Sequence, residues 1–177
     1  MSTTTDTRVE TTQVYRVYIK ATPQAVWDAI TRPEWTERYG YTPLSEYELR
    51  PGGAYVARPS VAMRAAGDAM GFTTPDVIGD GQVIEADPPR RLVQTWRLLM
   101  DPEIAAEGFT RLTYEIDPVR DSTRLTVTHE MEGAPKLALL VSGAQEDEEE
   151  GPGAGGGWAW VLSELKSLLE TGSGFHG

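Results

Sequence analysis

The chain offers few of the side chains on which catalysis is usually built. Its 177 residues include two histidines and no cysteine, which removes thiol nucleophiles, disulfides and zinc–thiolate sites. His176 is the penultimate residue and receives no role. His129 opens His129-Glu130-Met131-Glu132-Gly133, but the second histidine of a zinc-protease helix is missing and the surrounding pattern is that of a strand. No Gly-x-Ser-x-Gly elbow occurs. The glycines of Gly151–Gly157 lack the Lys-Ser/Thr of a phosphate loop. The acidic run Glu146–Glu150 lacks EF-hand spacing and reads as a solvated loop. No metal and no cofactor are expected. What remains for acid–base work is His129, with Tyr114 and Glu130 as further candidates. The simpler reading of His129 is structural, a histidine hydrogen-bonded at a sheet end.

The aromatic residues say more. Trp35, Tyr41, Tyr55, Trp96 and Phe109 are placed to reach one concave surface or its rim, and Tyr114 and Trp158 join them. With Met100, Met131, Leu162 and His129 they make a candidate lining for a flat, largely apolar ligand, held by stacking and burial with a few polar groups for orientation. Plain core filling is the alternative, and it suits Trp27 and Trp160 better.

The elements that must position these residues follow from periodicity. Gln13 to Lys20 alternates with Tyr15, Val17 and Ile19 on one face, a half-buried strand. Thr22-Pro23 then supplies a hydroxyl N-cap and a first-turn proline for a helix over Pro23–Thr31. Pro33–Tyr39 reads as a second short helical turn. Glu46–Leu49 and Ala54–Arg58 form a hairpin about Arg50-Pro51-Gly52-Gly53. Ser60–Pro75 admits either a helical turn or a mobile lid. Strands are expected over Val77–Glu85, Arg91–Met100, Thr110–Asp117 and Thr123–Met131, with Asp101–Gly108 as a loop. In the last strand Leu125, Val127, His129 and Met131 share a face. Gln145–Gly157 reads as a flexible surface loop. Trp158–Thr171 is a helix with Trp158, Leu162, Leu165, Leu168 and Leu169 on one stripe, ended by Gly172. One domain over 13–171 is expected, between tails at 1–12 and 172–177.

Composition sets limits on partners. A net charge of -11 repels phosphate backbones and anionic headgroups, so neither nucleic acid nor membrane is an expected partner. Hydrophobic residues make up 40%, enough for a packed core. No run of about 20 apolar residues occurs, nor a secretory h-region, so a cytoplasmic protein is expected. Thirteen arginines against three lysines, and no asparagine, suggest bacterial high-GC codon usage.

Four segments carry a resemblance to a known superfamily. They are Ala21–Trp27 with Trp35; Leu49-Arg50-Pro51-Gly52-Gly53; Gly81–Trp96 with its Pro88-Pro89-Arg90-Arg91 turn; and Thr123–Glu130 followed by Gly157-Trp158. In order and spacing they resemble the START-like (SRPBCC) superfamily, in the branch similar to the C-terminal domain of the heat-shock ATPase activator. The resemblance implies an α+β helix-grip fold, a curled antiparallel sheet of six or seven strands around a long C-terminal helix. Members bind lipids, hormones, polyketides or antibiotics between sheet and helix. It therefore implies a binder of a small hydrophobic molecule (polyketide, enediyne or lipid-like), monomeric or weakly homodimeric, in natural-product resistance or biosynthesis. A narrower likeness is to START-like proteins that sacrifice their own backbone to enediyne antibiotics, for which Gly108 is the candidate hydrogen donor. The alternatives are a polyketide cyclase or aromatase using the same cavity, and an interaction module of the chaperone-activator kind.

Overall fold

The computed structural model describes residues 11–143 and 156–175. In chain order the elements are β1 (Thr12–Ile19), α1 (Pro23–Thr31), α2 (Pro33–Thr36), β2 (Leu44–Tyr47), β3 (Ala54–Arg58), α3 (Val61–Ala69), β4 (Gly79–Asp87), β5 (Arg91–Leu98), α4 (Pro102–Ala105), β6 (Thr110–Val119), β7 (Ser122–Glu130), α5 (Pro135–Ser142) and α6 (Gly157–Thr171). The strands make one antiparallel sheet in the order β1-β7-β6-β5-β4-β3-β2, open between its edges β1 and β2.

Local chemistry explains the elements nearest the core. The Thr22 hydroxyl accepts from the Ala25 N–H at 3.1 Å, and Pro23 fills the first helical position of α1. Arg32 is extended before Pro33 and ends that helix, as the residue before a proline tends to. In β1 the inward set Gln13, Tyr15, Val17 and Ile19 alternates with outward Val14, Arg16 and Tyr18, the period of two that a half-buried strand requires. A register shift between Val83 and Glu85 bends β4. At Gly81 a Cβ would collide with the Thr95 carbonyl, so only glycine fits.

The inner face of the sheet closes on α6 and α1. Ile19, Val26, Leu92, Leu125, Val127 and Leu165 are fully buried there, and each such side chain contributes roughly 1.5–3 kcal/mol. Along β1, α6 is fastened by two polar contacts. Lys166 Nζ donates to the Tyr18 carbonyl at 2.7 Å, and Glu170 Oε1 accepts from the Lys20 N–H at 2.8 Å. Gly172, left-handed at φ 85, terminates α6.

Of the two readings of Ser60–Pro75 the helical one matches the structure, while two further segments differ from the sequence expectation. Ser60–Pro75 contains a helix, α3, capped by the Ser60 hydroxyl. It is mostly exposed, and Met63 packs toward Tyr55, Ala57, Ile78 and Met100. The expected loop 101–108 contains α4, capped by the Asp101 carboxylate. Helix α5 was not anticipated at all. Pro135 begins it, left-handed Gly143 ends it, and the Glu107 carboxylate accepts from the N–H groups of Lys136 and Leu137 at 3.0 and 2.9 Å. Ile104 of α4, Met131, Ala134, and Leu137 and Ala138 of α5 form a second buried cluster. Residues 172–175 turn back onto α6, where Phe175 meets Trp160 edge-on at 5.2 Å. Residues 1–10 of the expected N-terminal tail, the Gln145–Gly157 loop up to residue 155, and His176 lie outside the described residues.

Candidate functional site

His129 lies near the end of β7 on the inward register and is fully buried. The indole N–H of Trp158, on the first turn of α6, donates to its Nδ1 at 3.2 Å. An indole nitrogen is a donor only, so Nδ1 must accept and the ring proton must sit on Nε2. That Nε2 lies 2.8 Å from Thr110 Oγ1, and the Thr110 hydroxyl donates onward to the Trp96 carbonyl at 3.0 Å. The result is a directed thread from α6 through β7 and β6 to β5. Burial lowers the His129 pKa from 6.5 to about 4, since a charged imidazolium loses its water there. The ring is neutral, with both nitrogens engaged and, among the described residues, no carboxylate hydrogen-bonded to it.

Aromatic rings enclose this thread. Trp96 and Trp158 meet the imidazole edge-on, with centroids 5.5 and 6.0 Å away. Tyr114 meets Trp158 in the same manner at 6.2 Å. These T-shaped contacts set positive ring edges against negative faces. Further along the concavity, Tyr47 donates to Gln94 Oε1 at 2.7 Å, and the Trp96 indole donates to the Tyr55 hydroxyl at 3.3 Å. Burial holds the phenols of Tyr39, Tyr47, Tyr55 and Tyr114 above their ordinary value. They remain neutral hydrogen-bonding groups. The arrangement is a packed, polarised aromatic cluster with fixed donors and acceptors, while its histidine is already committed at both nitrogens.

The structure brings His129, Tyr114, Trp96, Trp158 and Tyr55 into this one neighbourhood, with Leu162 on the buried face of α6. Trp35 packs against the same core from α2, with the Arg38 guanidinium 4.8 Å over its ring. Met131 is buried in the α4–α5 cluster, and Met100 lies beside Tyr55 under α3. Tyr41 is half-exposed, and its hydroxyl accepts from the Gly157 N–H at 3.1 Å, tying the start of α6 to the loop before β2. Three candidates stand apart. Phe109 is 52% exposed and stacks under Arg97 at 4.3 Å. Glu130 points outward, 3.6 Å from Arg111. Gly108 sits in a turn at φ 88 with open space where a Cβ would project.

Sequence reasoning missed Thr110, Gln94 and Tyr47. The available signal was parity. Leu92, Gln94 and Trp96 share one face of β5, and Thr110, Leu112 and Tyr114 share one face of β6. A polar residue in an inward register must find a partner.

An antiparallel sheet folded about a C-terminal helix, with two short helices after its first strand, is the helix-grip architecture of START-like proteins. The chain belongs to the family of activator of Hsp90 ATPase homolog 1-like proteins, whose family model matches residues 20–170. No curated protein matches the sequence. Among solved structures it is similar to CalU16 from Micromonospora echinospora, 19% identical over 89% of this chain and 65% of that one, with a TM-score of 0.57. The Aha1 dimer from Colwellia psychrerythraea is 19% identical over 92% of this chain and 98% of that one, with a TM-score of 0.60. DynU16, a protein in the dynemicin biosynthetic locus, is 17% identical, with a TM-score of 0.56, over 93% of this chain and 49% of that one. The chain thus spans about half the length of DynU16. At these identities the likeness is one of fold.

Proposed function

We propose that this protein binds a small, largely apolar molecule between the inner face of the sheet and α6, without transforming it, in the setting of bacterial natural-product resistance or biosynthesis. The observation that carries the reading is the directed thread Trp158–His129–Thr110–Trp96 inside an aromatic enclosure. A general base needs a free nitrogen and a pKa near the working pH. His129 has neither, because both nitrogens are engaged and burial favours its neutral form. The thread instead fixes the angles of two tryptophans, whose faces and edges suit a flat conjugated ligand. The neighbouring phenols supply hydrogen bonds for a ligand's carbonyl or hydroxyl oxygens. Family membership supports the pocket-forming architecture, and the biosynthetic locus of DynU16 supports the natural-product setting.

The test is a thermal-shift screen with polyketide, enediyne and lipid ligands, followed by mass spectrometry of protein and ligand in each mixture. A ligand that binds only the folded state raises the midpoint by mass action. The expected outcome is a rise with a polycyclic or polyene ligand, an unchanged ligand mass and an intact chain, with the rise lost in Trp96→Ala. A chemically altered ligand would replace this reading with an enzymatic one. A chain cut near Gly108 would establish sacrificial protection. No shift with any class in a folded protein overturns ligand binding and favours a protein partner.

A further inference from the structure

The outer face of the sheet carries a constellation that core binding does not use. Across β1, β7 and β6 the register sets Arg16 opposite Thr126 and next in line with Glu115. One row away, Tyr18 faces Arg124 and Asp117; on the other side, Val14 faces Thr128. Together these side chains enclose a depression of about 360 Å³.

The charges in it are unevenly satisfied. Asp117 holds Arg124 at 3.3 Å, and Glu115 holds Arg91 at 3.5 Å. Arg124 uses one terminal nitrogen for that pair, and its Nε has no partner among the described residues. Arg16 makes no ion pair or hydrogen bond among the described residues. Arg50, Arg58, Arg90 and Arg97, by contrast, each hold a carboxylate. In a chain with 27 acidic against 16 basic side chains, the guanidinium of Arg16 stands open in the middle of a depression.

The chemistry of the walls narrows what fits. The planar guanidinium fork matches a carboxylate. Val14 and Tyr18, 50% and 51% exposed, offer an apolar edge and an aromatic face. Glu115 and Asp117 flank the position and repel a doubly charged group more than a singly charged one. We propose that this face is a second binding site, taking the carboxylate of a small planar organic acid on Arg16 with its body across Tyr18 and Val14. A monocarboxylate is selected over phosphate.

The test uses the full-length, isotope-labelled protein titrated with benzoate and, separately, with inorganic phosphate, following amide shifts. Benzoate is expected to give saturable shifts confined to residues 14–18, 115–117 and 124–128. Phosphate at the same concentrations is expected to give none that saturate. Arg16→Ala should weaken benzoate at least about tenfold, and Arg16→Lys, which keeps charge without the fork, should fall between. Shifts scattered over the surface, benzoate binding equal in wild type and Arg16→Ala, or phosphate binding as tightly as benzoate would each overturn the site. Should Arg16→Ala lose its folded spectrum, Arg16→Lys decides by the same comparison. Because Arg16 faces away from the core, its variants keep any thermal shift from a core ligand, so the two proposals fail independently.

Discussion

The concave face is built from different materials at its two ends. Around the C-terminal half of α6, Ile19, Val26, Leu165 and Leu168 meet as hydrocarbon, while Lys166 and Glu170 reach the β1 backbone and the buried Glu164 carboxylate accepts from the Phe175 N–H at 3.0 Å. Around its first turn, Trp158, His129, Thr110 and Trp96 meet through a chain of hydrogen bonds, each link with one permitted direction. Hydrocarbon burial is roughly proportional to area and indifferent to angle. A buried hydrogen-bonded chain is worth little net, yet costly to leave half made. The first end therefore supplies stability, and the second supplies definition, which is where selectivity for a ligand is expected to reside.

Four perturbations would break or sharpen that contrast. The largest effect belongs to the hydrocarbon end. Leu165→Ala should cost about 2–5 kcal/mol in chemical denaturation, while a ligand that binds at Trp96 keeps its affinity. A loss under about 1 kcal/mol would mean that α6 is not anchored there.

Next comes acid. The folded His129 pKa lies below its ordinary value, so its contribution is fully present above pH 6.5 and is lost as the pH falls through about 4. The difference in stability between wild type and His129→Gln should therefore shrink by roughly 3 kcal/mol over that window. A difference independent of pH would show that the imidazole takes up its proton as readily folded as unfolded.

Trp158→Phe keeps an aromatic ring and deletes the donor to Nδ1. A cost of about 1–2 kcal/mol is expected, together with a raised His129 pKa readable by NMR titration. An unmoved titration would dissolve the thread. The smallest effect is that of Tyr41→Phe, which removes the acceptor for the Gly157 N–H at a half-exposed position. About 0.5–1 kcal/mol should be lost, with ligand affinity changed more than global stability if the first turn of α6 frames the entrance.

The same contrast explains what could be read from the sequence. The alternation of β1, the Thr22-Pro23 cap and the leucine stripe of α6 are local signals, and each marks an element that is present. Helices α4 and α5 escaped because each is short and is held by contacts distant in sequence. Glu107 caps α5 from 29 and 30 residues away, and Ile104 and Met131 pack against its apolar side. Residue type alone points to the candidate lining residues, and type does not encode direction. Phe109 precedes the inward series Thr110, Leu112, Tyr114 and so falls on the outward face, where Arg97 covers it. His129 was visible as a buried polar residue, whereas its partners lie 19 and 29 positions away along the chain.

The pairing of β1 with β7 has a consequence for biogenesis. Strand β1 is made well before its partner, which lies more than a hundred residues downstream, with Thr12 opposite Glu130 and Ile19 opposite Thr123. Its inner face then waits for α6, which is made later still. Loop closure over such a span must precede any reward from contact, which slows folding. A nascent chain halted before β7 carries an unpaired strand edge with Tyr15, Val17 and Ile19 uncovered. For this chain, β1 can join the sheet only once β7 has been made.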